Sequence, residues 1–220
     1  MACFAGRARV NWSSGGLPRN SESDKNLKGV ESLYAPLGQT WLATENRKLK
    51  TENSMQFRLV DKLVRLEPGQ TIVMTKQVHP AEEYLADHFP EFPVLPGVLM
   101  LEAAVQAAAW LVREYERFAH SLIVLRSVRG VRYGAFVQPG QVLTIQADTV
   151  RLESESSEFK IRGEVGAATA IQGRIELAHR NLADGDPALA GLDKKLIDGM
   201  MAQWKQLQIQ AGVPYAHDAG

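Results

Sequence analysis

The sequence predicts an α+β fold, in which one long buried helix packs against an antiparallel β-sheet. The first observation is an apolar helix from about Gly97 to Arg117 with no wide polar face. Such a helix is buried in a core or spans a membrane. A span needs about 20 apolar residues with few charges, whereas the apolar run within this segment, residues 98–112, is shorter and contains Glu102 and Gln106. We therefore expect a buried helix.

The second observation is a series of strand-like segments on both sides of this helix. Alternating apolar residues, rich in β-branched side chains, predict strands in these segments: 57–66, 71–78, 121–133, 141–154, 157–166 and 167–180. Glu-Pro-Gly-Gln after the first strand is a turn signal, and residues 79–87 predict a short helical turn. Consecutive strands after one helix favour an antiparallel sheet.

Composition divides the chain into three parts. Residues 1–54 are rich in Ser, Gly, Asn, Lys and Arg without hydrophobic periodicity, which predicts a disordered extension. The alternative is a non-native extension, with the true start at Met55. Residues 55–182 form the predicted folded domain. Residues 183–220 form a C-terminal extension whose helix, from about Leu192 to Ile209, has an apolar stripe suited to pack outside the domain or at an oligomer interface.

The charge balance and the cysteine content exclude several classes of protein. The chain has 25 basic and 25 acidic residues, so it shows no preference for nucleic acid. No segment is long and apolar enough to predict a membrane protein. The single cysteine, Cys3, cannot form a disulfide framework, which fits a reducing, cytoplasmic location.

The run HFPEFPVLPGVLMLEAAVQ, which begins at His88, contains residues suited to acid–base chemistry. Pro96-Gly97 is a credible helix start, and unpaired N–H groups there can bind negative charge. Glu102 is costly in an apolar helix unless it is paired or protonated. Together with His88, these groups could remove a proton next to a carbonyl and expel a hydroxyl group.

This run resembles the active-site signature of the β-hydroxyacyl-acyl carrier protein dehydratases, which are hot-dog-fold enzymes of fatty acid synthesis. Both the motif H-F-P-x-x-P-x-x-P-G-V-L-x-x-E-A-x-x-Q and its His-to-Glu spacing are present. Residues 57–70 and 131–143 resemble two further segments of the family, and the resemblance extends from about Met55 to His179. It implies a sheet wrapped around one long central helix. Glu102 favours the plain dehydratases, because the branch that also isomerises the double bond usually has aspartate there.

The resemblance implies a role for each site residue. His88 is the general base and Glu102 is the acid that protonates the leaving hydroxyl. Gly97 and Val98 supply the oxyanion N–H groups. Gln106 is either a partner that orients Glu102 or a residue that only fills the core.

Contacts with substrate or carrier protein are implied for Phe89, Arg132 and Tyr133. Arg126, Arg129 and Arg132 could also meet an acidic carrier protein from the rim of a strand. The other histidines show no metal-ligand spacing, so we predict no metal site: His79, His120, His179 and His217.

The resemblance implies dehydration of a (3R)-hydroxyacyl-acyl carrier protein to the trans-2-enoyl product in fatty acid or related lipid biosynthesis. The substrate arrives on the phosphopantetheine arm of the carrier protein, and no cofactor is needed. The histidine and the acid of one site come from different subunits, which implies a homodimer and leaves a hexamer open. Two alternatives remain: a hot-dog hydratase or thioesterase that acts on acyl-CoA, and a non-catalytic subunit that binds acyl groups or carrier protein.

Overall fold

The computed structural model describes residues 57–88 and 91–212, all within one compact unit, Met55–Gly220. Six strands and three α-helices follow in chain order: β1 (Lys62–Glu67), β2 (Thr71–Gln77), α1 (Glu83–His88), α2 (Gly97–Tyr115), β3 (Leu122–Tyr133), β4 (Val142–Leu152), β5 (Ser156–Val165), β6 (Ala168–Arg180) and α3 (Ala190–Ala211). Two short 3-10 helices, Leu182–Asp184 and Pro187–Leu189, lie between β6 and α3. The predictions for residues 1–54 lie outside the described residues and stay predictions.

The strands form one antiparallel sheet in the order β1-β2-β4-β5-β6-β3. Alternate side chains of each central strand are buried, as Ile145 and Ala147 are on β4. They pack with the apolar side of α2 in one hydrophobic core. This arrangement confirms the predicted fold, a single sheet around one long central helix.

Two element boundaries differ from the prediction, each for a local reason. β1 begins at Lys62 rather than at residue 57, because the main chain of Phe57 and Leu59 bonds to the side chain of Gln106 instead of to a strand. α2 ends at Tyr115 rather than at Arg117. Arg117 has a left-handed φ of 53°, which no regular α-helix contains.

Helix α3 packs beside β1 and meets the central helix through Trp204. Trp204 is fully buried and stacks on Trp110 of α2, with ring centroids 5.3 Å apart and planes inclined by 16°. Its indole N–H donates to the carboxylate of Glu114. At the start of α3, the buried carboxylate of Asp193 accepts hydrogen bonds from the Ser121 hydroxyl and from two backbone N–H groups. These contacts fasten α3 to the domain.

None of the helices within residues 57–88 and 91–212 is long and apolar enough to cross a membrane.

Candidate active site

The N-terminus of α2 presents unpaired backbone N–H groups, as the Pro96-Gly97 pair predicts. The first helical bonds run from the N–H groups of Leu99 and Met100 to the carbonyl of Pro96. Within the described part of the chain, no carbonyl accepts from the N–H groups of Gly97 and Val98. Such groups, at the positive end of the helix dipole, suit an oxyanion.

The ring of Tyr133 lies against this helix start. A Cβ atom added to Gly97 would lie 3.0 Å from Cε1 of Tyr133, so the ring occupies the space that any larger residue would need. Close approach explains why glycine occurs at this position. The structure thus brings together Gly97 and Tyr133, two residues that the motif analysis named separately.

Gln106 holds Glu102 from one turn further along the same helix face. Its Nε2 donates to Oε1 of Glu102 at 3.0 Å and to the carbonyl of Phe57 at 3.1 Å, and its Oε1 accepts from the N–H of Leu59 at 2.9 Å. These partners fix the amide orientation. Oε2 of Glu102 has no hydrogen-bond partner among residues 57–88 and 91–212.

Glu102 is less deeply buried than an all-apolar helix predicts. Val98, Glu102 and Gln106 follow each other at intervals of one turn, and Val98 is 68% exposed while Glu102 and Gln106 are half-buried. Phe92, which precedes the helix start, meets Phe136 edge to face, with ring centroids 5.5 Å apart, and both side chains are exposed. The site is therefore open on this side of a single chain.

The structure says less about three other predicted site residues, His88, Phe89 and Arg132. His88 is the last residue of α1 and its side chain is exposed. Phe89 lies outside the described residues. Arg132 is the neighbour of Tyr133 on β3, yet it lines a separate recess of about 870 Å³ together with Gln146 and Asp148. Those two residues alternate with buried residues of β4, so the recess lies on the sheet face away from α2.

Two arginines of the predicted carrier-protein rim form ion pairs within the sheet. Arg126 and Arg129 lie 3.3 Å and 3.9 Å from the carboxylate of Glu176 on β6. Both arginines are exposed, so the pairs are weak. These ion pairs neutralise only part of the positive charge that Arg126 and Arg129 give to the rim.

A cluster that the sequence analysis missed lies at the other end of α2. Glu116 contacts His120 and His179, although the spacing of the histidines predicted no such group. Glu116 and His120 are close in sequence, but the chain leaves the helix before they meet and passes through the left-handed φ angles of Arg117 and Phe118, so helical spacing gave no signal for this contact. His179 arrives from β6, and no local spacing reveals that contact.

Comparison with known proteins agrees with this geometry. Residues 65–174, half of the chain, match the model of the ApeI-like family, described as ApeI dehydratase. The chain belongs to the ApeI-like dehydratase family. The family resemblance inferred from the motif at His88–Gln106 is therefore confirmed.

Curated relatives of this ApeI-like chain include 3-hydroxyacyl-acyl carrier protein dehydratases named FabZ. The protein from Ruminiclostridium cellulolyticum is 36% identical over 122 residues, 56% of this chain and 86% of the relative. The one from Variovorax paradoxus is 36% identical over 135 residues, 57% of this chain and 86% of the relative.

Among solved structures, the ApeI-like chain resembles one titled the dehydratase heterocomplex ApeI:P from Xenorhabdus doucetiae. The TM-score is 0.50 at 19% identity, covering 60% of this chain and 89% of that one. At this identity the likeness supports the hot-dog fold alone.

Proposed function

We propose that this protein dehydrates (3R)-hydroxyacyl-acyl carrier protein to the trans-2-enoyl thioester and water, in fatty acid or related lipid biosynthesis. The observation that carries the proposal is the placement of Glu102 on α2. Gln106 orients its carboxyl group, and the open N–H groups of the same helix lie about one turn away. The family match and the FabZ relatives support this chemistry.

In the proposed reaction, the thioester carbonyl binds at the N–H groups of Gly97 and Val98. His88 removes the α-proton, and the negative charge that develops on the carbonyl oxygen is stabilised by these N–H groups. Glu102 acts as the general acid and gives a proton to the β-hydroxyl group, and the C–O bond breaks to release water. The proton held by His88 then returns to Glu102 through solvent. No cofactor is needed, because the thioester itself acidifies the α-proton.

We further propose that two copies of the chain share each site. β3 is an edge strand of the sheet, and it exposes the apolar side chains of Val124, Leu125 and Val128. A long edge strand with apolar side chains favours pairing with another chain. The open side of the site at Val98 would gain cover from the same partner. The base of each site would then be the partner subunit's His88.

The carrier protein and the location are part of the proposal as well. The FabZ relatives act, by name, on substrates attached to acyl carrier protein. The exposed Arg126 and Arg129 add positive charge that suits an acidic carrier. A cytoplasmic location fits a chain with a single cysteine.

The test is hydration of a trans-2-enoyl thioester, followed by the ultraviolet loss of the conjugated bond. The substrate is offered on carrier protein and on coenzyme A, and a parallel assay measures released thiol. We expect hydration with preference for the carrier-bound substrate, and its loss in Glu102→Gln and in His88→Ala. Glu67→Gln and His79→Ala, two changes in exposed side chains elsewhere, serve as matched controls. Wild-type turnover in both site variants, or thiol release in place of hydration, would contradict the proposal.

Mixing the two inactive variants tests the shared site separately. A mixed dimer of His88→Ala and Glu102→Gln holds one intact site and one doubly altered site. Random exchange therefore restores about a quarter of wild-type activity, because half of the dimers are mixed. Mixtures that stay inactive after demonstrated subunit exchange would place both residues of a site in one subunit, and would leave the dehydration itself unaffected.

A further inference from the structure

Glu116, His120 and His179 form a compact cluster that the proposed dehydration does not use. Glu116 follows the last turn of α2, about 20 Å along the helix from Glu102 at 1.5 Å per residue. The Nδ1 atoms of His120 and His179 lie 2.8 Å and 2.7 Å from Oε2 and Oε1 of Glu116. One carboxylate thus lies between two imidazole rings.

We propose that this cluster, named here the Glu116 site, binds a divalent transition-metal ion of the Zn²⁺ type. The ligand atoms of the three residues lie within 4.8 Å of one another. A tetrahedral Zn²⁺ with bonds of about 2.0–2.1 Å holds its ligand atoms roughly 3.3 Å apart. The two histidine nitrogens contact different oxygens of Glu116. One of these oxygens would be the ligand, and the three ligand atoms would adjust to this spacing as the ion replaces the protons of the hydrogen bonds.

Ser157 supports one of the proposed ligands from behind. The Nε2 atom of His179 lies 2.8 Å from the Oγ atom of Ser157, and both residues are buried. When Nε2 carries the proton and donates it to this hydroxyl, the lone pair lies on Nδ1, the atom that points into the Glu116 site. Histidines that bind metals typically donate their second ring N–H in this manner.

The backbone between the ligands turns sharply to bring them together. Arg117 and Phe118 both have left-handed φ angles, of 53° and 60°, which non-glycine residues seldom adopt. The turn places His120 beside Glu116, while the buried ring of Phe118 anchors it to the core. The side chain of His120 is 19% exposed, so the cluster can be reached from solvent, and water would be the fourth ligand.

Two nitrogens and one carboxylate oxygen suit Zn²⁺, Ni²⁺ or Co²⁺ better than Ca²⁺ or Mg²⁺, which prefer oxygen ligands alone. The ion would join the end of α2 to β6, which supplies His179. We therefore infer a structural role, in which the metal fastens the central helix to the sheet.

The test measures metal binding by the full-length chain after removal of metals with a chelator. Titration with Zn²⁺ should give about one ion per chain, and Co²⁺ should give the visible absorption bands of a tetrahedral N/O site. His120→Ala should weaken Zn²⁺ binding at least about 100-fold, and Ser157→Ala about 10–100-fold, as expected for loss of a ligand and of its support. His79→Ala and His88→Ala should bind as the wild type does.

Circular dichroism of each variant confirms that it is folded, and the Co²⁺ spectrum of the wild type needs no variant. Absence of Zn²⁺ binding by the wild-type protein would overturn the proposal and leave the cluster a network of hydrogen bonds. Equal binding by the wild type and by folded His120→Ala would overturn it as well. Hydration activity is measured separately, so failure of the metal site and failure of the dehydratase proposal can be told apart.

Discussion

Gln106 connects the stability of the fold with the position of the proposed acid, so its replacement should alter both. Gln106→Met keeps the approximate volume of the side chain but removes its hydrogen bonds to Leu59, Phe57 and Glu102. Leu59 is 1% exposed, so its N–H group loses its partner in a buried position. An unsatisfied buried donor costs about 1–3 kcal/mol. The carbonyl of the exposed Phe57 regains water, and adds little to this cost.

The expected result is therefore a free energy of unfolding lowered by about 1–3 kcal/mol, measured by urea denaturation. Turnover should also fall, by about 100-fold, because a carboxyl group displaced by about an ångström reacts that much less efficiently. Glu102→Gln provides a comparison, since it removes the acid while the amide of Gln106 keeps its two main-chain partners. Gln206→Met, in an exposed position of α3, should change stability by less than about 0.5 kcal/mol.

Two outcomes would refute this reasoning. Unchanged stability of Gln106→Met would mean that the N–H of Leu59 does not depend on Gln106. Reduced stability with wild-type turnover of the folded enzyme would mean that Gln106 serves only the fold, which is the core-filling alternative left open by the sequence.

Three further predictions concern α3, the helix start and acid stability. Trp204→Ala should lower the free energy of unfolding by about 3–5 kcal/mol in urea denaturation, because it removes a buried ring and the hydrogen-bond partner of Glu114. A decrease below about 1 kcal/mol would mean that α3 does not stabilise the domain. Gly97→Ala should lower turnover by up to about 100-fold and Tyr133→Leu in the same chain should restore part of it, whereas Gly199→Ala, with nothing within 4 Å, should act as the wild type. Burial would raise the pKa of Asp193, but hydrogen bonds from Ser121 and from the N–H groups of Ala183 and Leu182 outweigh it and hold the pKa below its ordinary value of 3.8. This stabilisation is present above pH 3.8 and is lost as the pH falls through the lower folded-state pKa, so the stability advantage over Asp193→Asn should shrink in urea denaturations at decreasing pH.

The sequence by itself determined the fold class and the chemistry-bearing run. The apolar helix predicted at Gly97–Arg117 and the alternating strands are local patterns, because apolar residues recur along the sequence with the period of a helix or of a strand. The helix start at Pro96-Gly97 follows from backbone geometry that those two residues impose. The link from His88 and Glu102 to a dehydratase family rested on a motif that occupies one continuous stretch.

Only the tertiary structure decided which residues meet. The hydrogen bonds between Gln106 and the main chain of Phe57 and Leu59 cross more than 40 residues, and the first strand begins later than predicted because of them. Tyr133 meets Gly97 while its neighbour Arg132 turns to the opposite sheet face, since side chains alternate along a strand. His179 reaches Glu116 from a strand 63 residues away. Such contacts depend on how the helices and strands pack against one another. The spacing of residues along the sequence therefore does not indicate which distant residues will meet.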